Sequence, residues 1–257
     1  AEFMYSDFMG IAMDQIVNQA AKWSHMFGGQ AHPAVTIRGI INRGGEQGAQ
    51  HSQALHAWFA HVPGLRVVMP ATPGDARDLL IASVLCDDPV VYIDDRWLYD
   101  IEAELEPVQE LRLSELGPQV LRPGKDLSLI SCGYSTQLCL EASYQLDTLG
   151  IDAEVVDLRI LNPLSSEVLV RSVKKTGRLL AVDGGWRACG MAGEVLACVA
   201  EQLSCTCWKS PPARMTLPDA PAPTSRPLEE AYYLNMEGIV GKASRCVIKA
   251  ATDVVVP

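Results

Sequence analysis

The chain has 257 residues, of which 48% are hydrophobic and 20% are charged, and its formal net charge at pH 7 is −10. This composition predicts a globular protein with enough apolar residues for one large domain or two modest ones. No cluster of lysine and arginine interrupts the acidic balance, which argues against nucleic acid or an anionic membrane as the main partner. No apolar run reaches the roughly 18 residues that suggest a membrane-spanning helix.

The first half of the chain alternates helical and extended patterns. The sequence opens on AEFMYSDF, with no initiating Met and no signal peptide, so we expect it to enter partway into a fold. Asp7 is predicted to cap a first helix. Thr72 and Pro73 are the start expected of another helix, with Thr as cap and Pro at the first helical position. The remaining predictions are strands at 33–38, 65–70 and 87–94 and a helix at 51–61.

The second half repeats the alternation after an acidic, proline-bearing stretch at 106–125, which we interpret as a linker. The predicted strands are 127–132, 153–158, 178–184 and 213–217, and the predicted helices are 137–149, 165–175, 191–203 and 235–250. An extended proline-rich arm is expected at 218–227. Such alternation predicts an α/β fold with parallel or mixed sheets, in two domains that cover 1–105 and 126–257.

Eight cysteines are scattered along the chain without any CxxC pair. The lone CxC, Cys205 and Cys207, has no second pair and is a poor zinc signature. Other cysteines lie in apolar stretches such as LSLISC, where a thiol usually acts as a small buried hydrophobe. We therefore predict reduced, structural thiols and a cytoplasmic protein, or a mitochondrial-matrix protein if the source is eukaryotic.

All five histidines lie between positions 25 and 61, and three of them fall in the segment 44–80. Histidine is the side chain best suited to proton transfer near neutral pH. His51 follows a glycine-rich loop after a predicted strand, and ligands of open α/β sheets bind where strands end. The alternative is a histidine that bonds backbone at a helix terminus. His56 and His61 do not share a helical face with His51, so the three do not suggest a zinc site.

Other residues have two interpretations each. Tyr5 and Phe8 are either core aromatics or a flat surface on which a heteroaromatic ring could stack. The glycines of DGGWRACGMAGE (183–194), which are Gly184, Gly185, Gly190 and Gly193, either hold an anion at a helix N-terminus or allow tight packing. Asp94 and Asp95 are adjacent on a strand, so they make a poor acid–base pair and are expected to be solvated loop carboxylates.

Several segments together resemble a known family. EFMYSDF, AMDQIVNQAAK, IRGIINRGGEQGAQHSQALHAWFAHVPGLRVVMPATPGDARDLL and DDPVVYIDD, followed by EVVDLRILNPL and RLLAVDGGW, look like β subunits of thiamine-diphosphate-dependent 2-oxo acid dehydrogenases. The resemblance implies a transketolase-type pyrimidine-binding domain followed by a transketolase C-terminal domain. It also implies that the first domain is N-terminally truncated, because the family's cofactor-activating glutamate precedes the EFM-like strand and Glu2 does not replace it.

The resemblance assigns roles to individual residues. Phe8 matches the aromatic residue that packs on the aminopyrimidine ring of the cofactor. His51, within AQHSQ, matches the histidine that orients the substrate and assists proton or acyl transfer. A monovalent cation, with K⁺ as the candidate, would bind backbone oxygens at the matching positions Val35, Ser83, Cys86 and Asp88.

The resemblance also implies cofactors, partners and a reaction. Thiamine diphosphate with Mg²⁺ would be anchored mainly by a partner α subunit, in an α₂β₂ assembly that serves a lipoyl-bearing dihydrolipoyl acyltransferase. The reaction would be oxidative decarboxylation of a 2-oxo acid with acyl transfer to lipoyl, and this chain alone would be inactive. The alternatives are a transketolase-like carbon–carbon transferase subunit and a non-catalytic assembly module.

Overall fold

In the computed structural model, which describes residues 1–108 and 110–252, the chain divides into two units that interleave in sequence. The first unit contains Ala1–Gly117, Arg159–Leu164 and Ala220–Tyr233. The second contains Pro118–Leu158, Ser165–Asp219 and the chain from Leu234 onward. Two short segments of the second half of the sequence therefore pack with the first unit.

Strands and helices alternate along most of the chain. The strands are β1 (Glu2–Phe3), β2 (Thr36–Ile41), β3 (Arg66–Val68), β4 (Val90–Asp95), β5 (Gln119–Arg122), β6 (Leu127–Ser131), β7 (Ala153–Asp157), β8 (Ile160–Asn162), β9 (Leu179–Trp186) and β10 (Ala213–Leu217). The α-helices are α1 (Ala21–Met26), α2 (His56–Ala60), α3 (Pro73–Val84), α4 (Tyr134–Thr148), α5 (Glu167–Thr176), α6 (Met191–Ala200), α7 (Arg226–Tyr232) and α8 (Met236–Thr252). Before α1, the predicted first helix is a 3₁₀ turn, Ser6–Ala12, followed by a π-helical turn, Asp14–Ala20.

The first unit is built on a mixed sheet with the strand order β1-β2-β4-β3-β8. The first four strands are parallel, and β8 runs antiparallel to β3. Strand β4 is buried along its whole length, as expected for a central parallel strand covered on both faces. Tyr92 on this strand donates its hydroxyl to the carbonyl of Ala76, 2.7 Å away, and this bond fixes α3 against the sheet.

The predicted start of α3 is confirmed. The Thr72 hydroxyl accepts a hydrogen bond from the backbone N–H of Asp75 at 3.1 Å, and Pro73 begins the helix. Asp75 in turn forms an ion pair with Arg159 at 3.0 Å. Arg159 also donates to the carbonyl of Gly117, so the inserted segment that carries β8 is tied to the first unit by polar contacts.

The second unit is also built on a mixed sheet, in the order β10-β9-β6-β7-β5, with only β5 antiparallel to its neighbour. Its core is continuous and apolar, and it joins the sheet to α4 and α8 through fully buried side chains that include Leu129, Leu146, Val155 and Ile239. The predicted fold class, two α/β units with parallel or mixed sheets, is thus confirmed.

Local predictions fail where distant contacts decide the structure. Residues 119–122, assigned to the linker, form the edge strand β5, whose partner β7 lies more than 30 residues away in sequence. The proline-rich arm at 218–227 is not extended throughout, because α7 begins at Arg226. Asp7 does not cap the first helical turn, whose N-cap position is Tyr5, since the Asp7 carboxylate accepts hydrogen bonds from Gln53 instead.

Neither unit contains, within the residues described, a helix that is both long enough and apolar enough to span a bilayer. All eight cysteines are free thiols in the structure. Their exposure differs widely, because Cys132, Cys139 and Cys246 are buried whereas Cys189 and Cys205 are exposed.

The difference in exposure predicts a difference in thiol reactivity. Burial raises the pKa of Cys139 to about 12, so this thiol is protonated and shielded at pH 8. In a timed reaction with an alkylating reagent at pH 8, mapped by mass spectrometry, we expect Cys189 and Cys205 to be modified first. Cys139 should react only in denaturant. Labelling of native Cys139 at the rate of Cys205 would contradict the packing described for α4.

Candidate active site

The parallel strands of the first unit end at one edge of its sheet, and chemically active side chains collect there. The turn that carries Tyr5 and Phe8 follows β1, and the loop that carries His51 follows β2. Asp95 ends β4. The carboxyl edge of such a sheet is where α/β proteins bind ligands.

Three rings meet at this edge and form what we call the aromatic–imidazole cluster, consisting of Tyr5, Phe8 and His51. The ring centroids of Phe8 and His51 are 5.2 Å apart and those of Tyr5 and His51 are 5.3 Å apart, both in edge-to-face contact. Tyr5 and Phe8 are 5.8 Å apart with their planes tilted by 52°. All three side chains are half-buried, so the cluster is packed and still reachable. The structure therefore brings Phe8 and His51 together.

His51 does not lie on a helix. The predicted helix 51–61 begins only at His56, and residues 52–55 have no regular secondary structure. The reason is that Gln53 bonds to the first helical turn of the chain. Its carbonyl accepts from the Ser6 hydroxyl at 2.8 Å, and its backbone and side-chain N–H groups donate to Asp7 Oδ1 at 3.1 and 2.9 Å.

A buried ion pair supports the base of the His51 loop. Arg43 and Asp95 are 2.6 Å apart, and their side chains are only 6% and 0% exposed. The carbonyl of Arg43 accepts a hydrogen bond from the Trp97 indole N–H. Gly44 follows with a φ of +60°, and a Cβ there would lie 2.3 Å from the Trp97 ring, so only glycine fits where the loop leaves β2.

The far side of the His51 loop contacts α7, a helix that the sequence does not predict. The backbone N–H of Glu46 donates to both carboxylate oxygens of Glu229, at 3.1 and 3.2 Å. The Glu46 carboxylate accepts from the N–H of Arg226 at 3.2 Å. No local signal in the sequence joins positions separated by about 180 residues, and only the fold reveals this support.

Asp94 and Asp95 are not solvated, and that prediction is wrong. They are 7% and 1% exposed because they end a buried strand and each faces an arginine. Burial raises the pKa of Asp94 above its usual range, although the adjacent Arg38 guanidinium opposes the shift. Tyr99 donates to Asp94 at 3.3 Å, and burial raises the pKa of Tyr99 to about 12.

A cavity of about 290 Å³ opens beside this pair of carboxylates. Its walls come from the carboxyl ends of β3 and β4, the start of α3 and the turn after β4, and they are formed by Pro70, Ala71, Thr72, Pro73, Ala76, Asp94, Asp95, Leu98, Tyr99 and Ile101. Because both carboxylates are paired with arginines, the cavity does not have a strong negative charge.

The four positions matched to a cation site lie at the opposite edge of the sheet. The Ser83 carbonyl accepts from the Thr36 hydroxyl at 2.9 Å, and the Val35 carbonyl accepts from the N–H of Val90 at 2.9 Å. Cys86 donates its N–H to Ser83, and the Asp88 carboxylate is 2.8 Å from Arg66. These residues are neighbours. The Val35 carbonyl has a second lone pair beyond the bond it accepts from Val90, whereas the Ser83 carbonyl accepts two hydrogen bonds, from Thr36 and Cys86.

The glycine-rich segment 183–194 includes the end of β9 and the start of α6, and its contacts favour packing over anion binding. Asp183 accepts hydrogen bonds from the N–H groups of Gly185 at 2.9 Å and Ala192 at 3.3 Å, so a carboxylate of the protein itself occupies the N-terminus of α6. A Cβ at Gly190 would lie 2.1 Å from the carbonyl oxygen of Trp186. Close approach of two backbone segments therefore explains that glycine.

Comparison with known proteins agrees with this architecture. Residues 1–100 match the family model described as the transketolase pyrimidine binding domain, and residues 118–239 match the transketolase C-terminal domain. A solved structure described as a split gene transketolase, inactive β4 tetramer, shares the fold with a TM-score of 0.74 and 23% identity, covering 96% of this chain and 75% of that one. The chain is thus a transketolase-type protein with a pyrimidine-binding and a C-terminal domain.

Curated relatives show to which branch of the transketolase-type proteins the chain belongs. The β subunit of acetoin:2,6-dichlorophenolindophenol oxidoreductase from Cupriavidus necator is 40% identical over 246 residues, covering 95% of this chain and 72% of the relative. The β subunit of the human mitochondrial pyruvate dehydrogenase E1 component is 33% identical over 242 residues, covering 93% and 67%. The chain belongs to the E1 β-subunit family of thiamine-diphosphate-dependent 2-oxo acid dehydrogenases, as the sequence resemblance implies.

Proposed function

We propose that this chain supplies the aminopyrimidine-facing half of a 2-oxo acid dehydrogenase active site. The observation that carries the proposal is the aromatic–imidazole cluster at the carboxyl edge of the unit that matches the pyrimidine-binding model. Half-buried aromatic rings suit the stacking of a heteroaromatic ring, so the residues present fit the aminopyrimidine end of thiamine diphosphate. The diphosphate and Mg²⁺ would be anchored by a partner α subunit.

When bound, thiamine diphosphate supplies the carbanion chemistry that decarboxylates a 2-oxo acid. In this proposal Phe8 forms the stacking wall for the aminopyrimidine ring. His51 orients the substrate and carries a proton on an imidazole nitrogen, a role for which its half-exposed ring is suited. The edge contacts from Tyr5 and Phe8 restrict rotation of the imidazole, so its nitrogens are presented in a fixed direction.

Membership of the family suggests the assembly, the partners, the location and a cation site of this chain. The chain would pair with an α subunit in an α₂β₂ assembly, pass the acyl group to a lipoyl-bearing dihydrolipoyl acyltransferase, and work in the cytoplasm or the mitochondrial matrix. The matching positions Val35, Ser83, Cys86 and Asp88 would hold a monovalent cation, with K⁺ as the candidate. Such a site would join β2 to the end of α3 and stabilise the first unit.

Reconstitution tests the proposal. The chain is co-expressed with a candidate α subunit. Oxidative decarboxylation of pyruvate and of branched-chain 2-oxo acids, and oxidative C–C cleavage of acetoin, are followed with dichlorophenolindophenol as acceptor and then with a lipoyl domain. We expect turnover that requires both subunits and thiamine diphosphate, with α alone and this chain alone as controls. Sugar-phosphate transfer without lipoyl dependence would favour a transketolase-like transferase. A stable complex without any turnover would favour an assembly module.

A further inference from the structure

Gln53 is held by two residues that directly precede Phe8. Its carbonyl accepts from the Ser6 hydroxyl, and its backbone N–H and side-chain amide both donate to Asp7 Oδ1. Three hydrogen bonds of 2.8 to 3.1 Å therefore join the 3₁₀ turn after β1 to the loop after β2.

The sequence positions of these partners give the contact its significance. Asp7 is the residue before Phe8, and Gln53 is two residues after His51. Consecutive Cα atoms are only about 3.8 Å apart. A displacement of the Asp7–Gln53 contact therefore also displaces the rings of Phe8 and His51. By contrast, the hydrogen bond from the His51 N–H to the Gly48 carbonyl is 3.3 Å long and ties the loop only to itself.

The chemistry of the contact also favours a positioning role. A carboxylate that accepts from a backbone N–H and an amide forms charge-assisted hydrogen bonds, which are stronger and more directional than neutral ones. The second oxygen, Asp7 Oδ2, is shielded from solvent and has no hydrogen-bond partner among the described residues. Gln53 therefore supplies the hydrogen-bond donors found for this carboxylate.

We propose that Asp7 and Gln53 are a positioning pair that sets the placement of the His51 imidazole against Phe8 and Tyr5. Neither residue touches the reacting atoms in this account. Their effect on catalysis passes through His51 and so rests on the proposed function, whereas their effect on ring placement does not.

The first test measures the placement of the His51 ring by NMR and does not depend on turnover. The full chain, labelled with ¹³C-histidine, gives an imidazole signal for His51 that is assigned by its loss in H51A and that is shifted by the two aromatic rings beside it. We expect the signal to move towards the value of a solvent-exposed histidine in Asp7→Ala and to stay near the wild-type value in Asp7→Asn, because asparagine keeps an acceptor for Gln53. Gln53→Ala, which removes only the side-chain bond, should give a smaller shift in the same direction.

A matched control comes from the same segment. Asp14 accepts a hydrogen bond from Asn18 at 2.7 Å on the exposed side of the second helical turn. Asp14→Ala therefore removes a comparable side-chain bond without touching the His51 loop, and it should leave the imidazole signal unchanged. If Asp7→Ala does not fold, Gln53→Ala still reports on the contact.

The second test reads catalysis in the complex with the α subunit. We expect Asp7→Ala to lower kcat by about 10- to 100-fold, as a misplacement of about 1 Å can do, with little change in KM for the 2-oxo acid. Asp7→Asn should restore kcat. An unchanged His51 signal in Asp7→Ala, or equal damage in Asp7→Asn, would overturn the positioning role. Failure of the proposed function would instead leave every variant, and the wild type, without turnover while the imidazole shifts persist.

Discussion

Replacing His51 with alanine is expected to reduce 2-oxo acid turnover by about 10²- to 10⁴-fold, the usual effect of removing a positioned proton-transfer group. The imidazole is half-buried between Tyr5 and Phe8 at the edge where the parallel strands end. Its removal takes away one half-buried side chain from a loop, so we expect the unfolding midpoint to change little. The measurement is kcat of the reconstituted complex, determined once with a dye acceptor and once with a lipoyl domain.

His61 provides the matched control. It is the residue after α2, it is exposed, and it is not one of the three rings of the aromatic–imidazole cluster. His61→Ala should therefore turn over at the wild-type rate. Wild-type kcat for His51→Ala with both acceptors, in a complex that retains its thermal stability, would remove His51 from the mechanism. A loss confined to the lipoyl reaction would restrict its role to acyl transfer.

Replacing Asp95 with alanine is expected to destabilise the first unit by about 3–5 kcal/mol, because it removes the carboxylate from a buried ion pair with Arg43. The two side chains are 0% and 6% exposed and lie 2.6 Å apart. The same change loosens the base of the His51 loop, since Arg43 also holds the Trp97 indole through its carbonyl. Urea unfolding followed by Trp fluorescence measures the loss.

An exposed ion pair in the same unit serves as the control. Arg226 and Glu230 are one helical turn apart on α7, 3.2 Å from each other, and both are largely exposed. Glu230→Ala should cost only about 0.3–0.5 kcal/mol, and added salt should reduce that cost further. A cost for Asp95→Ala as small as that for Glu230→Ala would show that the buried pair does not support the loop as described.

Much of the fold follows from local sequence signals. The Thr72–Pro73 start of α3 is correct because the capping oxygen and the N–H it accepts from are three residues apart. Strands β6, β7 and β10 lie where apolar runs place them, with bounds that agree to within a residue or two. Such elements are signalled by neighbouring residues, and β6 and β7 are also buried along their whole length.

The remaining features depend on contacts between distant residues. Strands β5 and β8 pair with strands far away in sequence. The buried carboxylate of Asp95 is paired with Arg43, which lies 52 residues earlier. For the site, the rule for strand ends and the family resemblance both indicate His51, and the structure places Phe8 beside it. The support from Gln53, Glu229 and Arg43 has no local signal. The catalytic role of His51 stays a prediction.

We propose that this chain contributes the aminopyrimidine wall of a shared cofactor site, and thiamine diphosphate binding measures that contribution. Titration calorimetry is carried out with the α subunit alone, with this chain alone, and with their complex, in the presence of Mg²⁺. We predict one site per αβ pair that binds more tightly than α alone and is weakened by Phe8→Ala. Equal affinity for the α subunit with and without this chain would contradict the account.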